Sequence, residues 1–365
     1  MNSPAVLNFS GGPGALPDAV LRETREAILA LPETGVSVLG MSHRSDWFLA
    51  LVDEAEQTLR ALLGLDERYA ICFLQGGSSL LFATIPMNFA GAGRGLPAYV
   101  DAGYWSARAS AEARRAGGCR VVWDGRESGY RSLPELASLA LPADTRYLHY
   151  VSNETVEGLQ FAAPDGEIAA PLIADMSSDF LSKPAEVSRH AMVYAHAQKN
   201  LGPAGVTVAL IDRDWLERIP DGLPSILDFR THVAHRSNYN TPPVFAIYVL
   251  TLVVRWLARE IGGLAAMARR NAAKAERLYA TLDALGDAVT VHAGRRWRST
   301  MNAAFTFGDA RLDQAFIDEA RALGMLGLEG HRSLGGLRAS LYNAVTPEAV
   351  AALCEALADF GRARV

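Results

Sequence analysis

Tyr69-Ala70-Ile71-Cys72-Phe73-Leu74-Gln75-Gly76-Gly77-Ser78-Ser79 is the stretch that decides the architecture. Its first six residues form an unbroken apolar run with no charge. A strand with one wet face alternates apolar and polar residues, whereas a strand covered on both faces does not. Two glycines then break the run, and Leu80, Leu81, Ala83 and Thr84 open a helical pattern. The joint reads as buried strand, tight turn, helix. Runs of the same kind recur outward from it, at Ala98–Asp101, Cys119–Trp123, Arg146–Val151, Leu172–Asp175, Ala191–His196 and Val206–Ile211. Helical spacing fills the intervals, as at Ser106–Ala116 and Ser132–Ala140. The prediction is an α/β domain wound on a mostly parallel seven-stranded sheet.

The pattern changes near residue 258. A charged amphipathic helix over Leu264–Leu285 comes first, with Lys274 expected on its solvated face. Strands at Val289–His292, Asn302–Phe307 and Arg338–Tyr342 and a terminal helix at Pro347–Arg362 follow. They predict a smaller α+β C-terminal domain. The division expected is 16–258 for the large domain, with 1–15 and 259–365 making the small one. The glycine-dense Gly91–Gly95 precedes a strand where a dinucleotide fingerprint would follow one, so it reads as a plain loop. The longest apolar stretch, Val244–Val254, is too short to span a bilayer and reads as a buried helix.

Composition narrows the function. Half of the 365 residues are hydrophobic and 21% are charged, which is globular usage. The net charge of −5 creates no basic field for nucleic acid or an anionic membrane, so neither is expected as a partner. Cys72, Cys119 and Cys354 form no CxxC pair, and Met1-Asn2-Ser3-Pro4 does not begin a signal peptide. The expected location is the cytoplasm. His232-x-x-His235 lacks a nearby carboxylate to complete a metal site, so no metal is expected.

Three places could carry chemistry together. The Gly76-Gly77 joint, with Ser78 and Ser79, offers the N–H groups of a new helix to an anion. It lacks the Lys-Ser/Thr ending of a nucleotide loop. Asp175 closes a buried strand, where α/β folds place ligands. Lys199 lies just past another. The chain has only three lysines against 32 arginines, and Lys199 alone sits at the mouth of the sheet. Each feature has a plain alternative: an empty joint, a turn-capping acid, a loop lysine. As a set they are the parts needed to hold pyridoxal 5′-phosphate: an amine for the Schiff base, an acid for the ring nitrogen, a cradle for the phosphate. Tyr104-Trp105, after the strand ending at Asp101, offers a ring to stack. His43-Arg44, His331-Arg332 and Arg338 suit a substrate with two anionic ends.

In the order and spacing of its short strings, the chain resembles the phosphoserine aminotransferase family, within class V of the fold-type I pyridoxal phosphate enzymes. The strings run nearly end to end: Asn8–Pro13, Met41–Arg44, Tyr99–Trp105, Ser152–Thr155, Asp175–Ser178, Ala197–Asn200, Asn240–Pro243, Gly330–Arg332 and Arg338–Asn343. The resemblance implies Lys199 as the Schiff-base lysine and Asp175 as partner of the ring nitrogen. It implies Trp105 stacked on the ring and Thr155 near the ring hydroxyl. Ser78, Ser79 and Gln198 would hold the phosphate, joined by Asn240 and Thr241 of a partner subunit in a homodimer with shared active sites. Ser10 and Arg338 would take the substrate α-carboxylate. His43, Arg44, His331 and Arg332 would surround the far anion. The implied reaction is transamination between L-glutamate and 3-phosphohydroxypyruvate in serine biosynthesis. It leaves open a second phosphorylated substrate, 4-phosphohydroxythreonine, in pyridoxine biosynthesis. The alternatives are another class V aminotransferase, or a nicotinamide dehydrogenase if no pyridoxal phosphate is bound.

Overall fold

The computed structural model describes residues 6–91 and 95–364. Met1–Pro4 and the centre of the Gly91–Gly95 stretch lie outside the described residues. Seven strands form the main sheet: β1 (Tyr69–Leu74), β2 (Ala98–Asp101), β3 (Arg120–Asp124), β4 (Leu148–Val151), β5 (Leu172–Asp175), β6 (His190–His196) and β7 (Thr207–Asp212). Their spatial order is β1-β7-β6-β5-β4-β2-β3. All run parallel except β7, which is antiparallel to both β1 and β6. The mostly parallel seven-stranded sheet is as predicted.

The apolar runs are continuous because both faces are covered. Tyr69, Ile71 and Phe73 of β1 point into one core with Val208, Leu210, Val193 and Ala174. Cys72 and Leu74 point into another, with Tyr194, Ile173 and Tyr99. Helices α1 (Asp18–Leu29), α2 (Asp46–Leu63) and α5 (Val244–Arg259) cover the first face. Helices α3 (Gly77–Phe89) and α4 (Tyr104–Ala116) cover the second. α5 is the apolar run of the sequence. Pro242-Pro243 starts it, and ten of its side chains are buried. Among the described residues no helix is long and apolar enough to cross a membrane.

A separate core gathers Phe9 with residues beyond 274. It is built from α6 (Leu264–Ala284), α7 (Ala310–Ala322), α8 (Pro347–Arg364) and the antiparallel strands β8 (Thr290–Val291), β9 (Asn302–Thr306) and β10 (Leu337–Ser340). The short strand Leu7–Asn8 pairs with Met325–Leu326, which brings the N-terminal residues to this core.

Two expectations fail here. The helix expected over Ser132–Ala140 is a loop with a single 3-10 turn at Leu136–Ser138. Pro134 accounts for the start of the loop, since it pushes Leu133 out of helical backbone. Lys274 is not solvated. It is 2% exposed and its ammonium donates to the carbonyls of Leu341, Tyr342 and Val345 at 2.8, 2.9 and 2.9 Å. Arg269, Arg270 and Arg277 charge this helix, but a lysine stem can cross to a buried carbonyl cluster.

Candidate active site

β1, β2, β5 and β6 run the same way, so their carboxyl ends open on one edge of the sheet. Lys199 follows β6 there and is 6% exposed. Its ammonium donates to the Gly11 carbonyl, which also accepts from the Tyr342 hydroxyl at 2.8 Å. The same nitrogen lies 5.7 Å from the centre of the Tyr342 ring. Gly12 takes φ +142°, which other residues rarely adopt, and a side chain there would start 3.0 Å from Lys199 Cε, so this position favours glycine. Asp175 ends β5 and is buried. Burial pushes its carboxyl up to about 6 while Ser177 and Lys199 pull it down. Ser177 N donates to its Oδ1 at 2.8 Å.

The cradle follows β1. Gly76 takes φ +89°, a left-handed turn that glycine makes without strain, and α3 begins at Gly77. The first N–H groups of a helix have no partner within it, and the dipole there favours an anion. Ser79 is exposed and Gln198 half-buried. Ser78 is buried, and its hydroxyl is engaged by Ser177 Oγ at 2.7 Å and His196 Nδ1 at 2.9 Å. Toward an anion, Ser78 therefore has its backbone N–H to offer. Asn240 lines a cavity with Gln75 and Gly76, and Gln75 donates to the Thr241 carbonyl at 2.8 Å.

The aromatic wall follows β2. Trp105 Nε1 donates to Thr155 Oγ1 at 2.9 Å, which joins the two residues expected around the cofactor ring. Two carboxylates seat the start of α4. Glu154 accepts from Trp105 N at 3.0 Å and Ser106 N at 2.8 Å, and Glu157 accepts from Tyr104 N at 3.0 Å. Both acids are buried, and burial pushes both well above the carboxylate range, helped at Glu154 by the charge of Asp175 and at Glu157 by that of Glu154. Sequence reasoning missed them, although Glu154 lies inside the quoted Ser152–Thr155 string. An acid flanked by uncharged residues beside a strand end was the available signal.

Arg338, on β10, closes the wall. Its guanidinium reaches the Thr155 carbonyl at 3.5 Å, and its Nε is buried without a partner. A Cβ on Gly11 would fall 2.2 Å from Arg338 Nη2. Arg338, the Ser10-Gly11 loop and Lys199 thus meet at one point.

The far-anion residues fall into two groups. The His331 ring lies 4.6 Å from the Tyr104 ring, tilted against it, and Arg108 and then Arg332 lower the Tyr104 hydroxyl. His43 and Arg44 lie elsewhere, with the His43 carbonyl accepting from Asn238 at 2.9 Å. Within one chain, the structure joins His43-Arg44 to the segment that carries Asn240 and Thr241, and His331-Arg332 to the aromatic wall.

These residues fit pyridoxal phosphate: a buried amine, a strand-end acid, an open helix N-terminus and an arginine with an unspent buried donor. The class V aminotransferase family model matches residues 6–353. The chain belongs to the class V aminotransferases, which work with pyridoxal 5′-phosphate, and the nicotinamide alternative falls away. A phosphoserine aminotransferase of Geobacillus kaustophilus is 47% identical over 97% of this chain and 96% of its own length. The solved phosphoserine aminotransferase of Bacillus circulans subsp. alkalophilus superimposes with a TM-score of 0.96 at 41% identity, covering 100% of both chains. A pyridoxal phosphate-bound phosphoserine aminotransferase from Trichomonas vaginalis gives 0.87 at 35% identity, over 97% of this chain and 99% of that one. Within its class the chain belongs to the phosphoserine aminotransferase family.

Proposed function

We propose that this chain moves the amino group of L-glutamate to 3-phosphohydroxypyruvate, giving 2-oxoglutarate and O-phospho-L-serine. The observation that carries the reading is the meeting of Lys199, Arg338 and the Ser10-Gly11 loop at one point. An amine that can move a proton and a guanidinium that can hold an α-carboxylate are then within one substrate's length. Bound pyridoxal phosphate supplies an electron sink for the α-carbon. Lys199 supplies the amine that holds the cofactor and is the base placed to move the α-proton. Asp175 would keep the ring nitrogen protonated, Trp105 would cover the ring, and Thr155 would meet its hydroxyl. The α3 N–H groups, Ser79 and Gln198 hold the phosphate. Ser10 and Arg338 orient the carboxylate.

Glutamate and phosphohydroxypyruvate each carry a second anion, which His331 and Arg332 meet from this chain. We infer that His43, Arg44, Asn240 and Thr241 act in the site of the partner subunit, so the enzyme is a homodimer. Support comes from the Asn238–His43 bond, which makes these four residues one unit apart from His331-Arg332. The division into a 16–258 domain and a 1–15 plus 259–365 domain is supported by the separate core around Phe9. A cytoplasmic location is supported by three free cysteines.

The test is production of 2-oxoglutarate from glutamate with 3-phosphohydroxypyruvate, compared with unphosphorylated hydroxypyruvate. Equal rates would move the chain to another class V aminotransferase activity. Mixing Lys199→Ala with Arg44→Ala chains tests the shared site. Hybrid dimers should regain activity in one of their two sites, and no recovery would place Arg44 in its own chain's site.

A further inference from the structure

The proposed roles leave His196 unused, although it ends β6 three residues before Lys199. Its Nδ1 lies 2.9 Å from Ser78 Oγ, and Ser78 Oγ lies 2.7 Å from Ser177 Oγ. The backbone N–H of His196 also reaches Ser177 Oγ, at 3.3 Å. Ser177 stands two residues past Asp175, with its N–H on Asp175 Oδ1 at 2.8 Å, and its side chain holds the Asp175 carboxyl down against burial. Three elements are thereby tied together: the start of α3, the turn after β5 and the end of β6.

The direction of the chain follows from charge. A carboxylate accepts only, and a hydrogen bond to an anion is roughly twice as strong as one between neutral groups. The Ser177 hydroxyl therefore gives its proton to Asp175. Its oxygen is then the acceptor for Ser78, and Ser78 must accept in turn from His196 Nδ1–H. Burial and nearby Lys199 hold the His196 ring neutral, so it has one N–H to give. His196 Nε2 is buried with no partner, which suits a bare lone pair better than an unpaired N–H. The opposite direction would turn Ser177 away from Asp175 and bury that unpaired N–H.

We infer that His196, Ser78 and Ser177 form a one-way chain of donors that ends on Asp175 and keeps its carboxylate ionised and in place. This rests on the proposed pairing of Asp175 with the cofactor ring nitrogen. Asp175 also faces Tyr194, Asp179 and Lys199. Of these, Asp179 repels its charge and burial opposes it, so donors are needed on the other side. The three residues are positioning residues. They act through Asp175 and tie the phosphate cradle to the acid that meets the far end of the ring.

The test loads the holoenzyme with pyridoxal phosphate labelled with 15N in the ring and reads the nitrogen chemical shift. Cofactor affinity and thermal melting are measured beside it. Asp175→Asn sets the reference for an unprotonated ring nitrogen. Ser177→Ala should move the shift toward that reference and weaken cofactor binding by about tenfold or more, as expected for a lost hydrogen bond to a charge. Ser78→Ala and His196→Phe should move it part of the way. His196→Asn, whose amide can replace Nδ1–H, should stay at the wild-type shift. Wild-type shifts in Ser177→Ala and Ser78→Ala with lowered melting would reduce the three residues to a mechanical clamp and overturn the inference. Weaker binding in Ser78→Ala with an unmoved shift would also overturn it, making Ser78 a plain phosphate ligand. An unmoved shift in Asp175→Asn itself would instead remove the ring-nitrogen pairing, and this inference with it.

Discussion

Two strand-to-helix joints stand on the same edge of the sheet and end differently. At the first, β1 passes through Gly76 into α3, and the helix opens with Ser78 and Ser79. At the second, β2 passes through Ala102-Gly103 into α4. Both present the N–H groups that a helix leaves unpaired, and both would attract an anion. The second joint already has its acceptors. Glu154 and Glu157, some fifty residues along, take the N–H groups of Tyr104, Trp105 and Ser106. Its helix serves as a fixed mount for Trp105. The first joint keeps its N–H groups for a ligand. An open helix N-terminus marks a phosphate site only after every buried carboxylate nearby has been placed.

The largest effect should come from Lys199→Ala. Transamination should fall by about a thousandfold or more, because both the holding amine and the proton shuttle go. The comparison predicts that this variant still takes up pyridoxal phosphate reversibly, since the open joint is separate from the lysine. Equilibrium dialysis that finds no uptake would show that the joint contributes little. Glu154→Ala comes next. It leaves Glu157 on Tyr104 N but strands the N–H groups of Trp105 and Ser106, at a cost of about 3 kcal/mol. Urea unfolding should register that loss, and an unchanged midpoint would mean the two joints are equivalent.

Glu157→Gln isolates charge from capping, since the amide oxygen can still accept from Tyr104 N. Burial raises the Glu157 carboxyl from 4.5 to about 8, so in this window the folded protein keeps a proton the unfolded chain has lost. Glu157's share of the wild-type stability should therefore fall as pH rises from about 4.5 to 8, by at most about 1.4 kcal/mol per pH unit. The glutamine variant should lack this slope. Parallel curves for the two proteins would show that Glu157 ionises freely. The smallest effect is expected from Ser79→Ala, where one exposed hydroxyl is worth about 1 kcal/mol, or several-fold in cofactor affinity. A loss of more than a hundredfold would mean that side chains, and not N–H groups, carry the open joint.

Much of this molecule was legible before folding. The seven buried strands were, with ends shifted by a residue or two, because a run covered on both faces carries its burial in its own composition. Lys199 and Asp175 were legible because each stands where such a run stops. Other readings failed where a residue's partner is remote in sequence. Lys274 looked solvated among arginines until Leu341, Tyr342 and Val345 arrived as acceptors. Ser78 looked like a free phosphate donor until Ser177 and His196 claimed its hydroxyl. Pro134 was a local signal that the spacing of Ser132–Ala140 obscured.

By itself the sequence determined the wound sheet, the strand-end positions of the amine and the acid, and the glycine-led joint after β1. These are properties of neighbouring residues: apolar runs, turns that need positive φ, and lone charges at run ends. Tertiary structure alone decided which joint stays open, which groups share the Ser78 hydroxyl, and that His43 meets Asn238 while His331 meets Tyr104. The reason is physical. A buried polar group must find its partner wherever the fold brings one, and that partner is set by packing across many tens of residues.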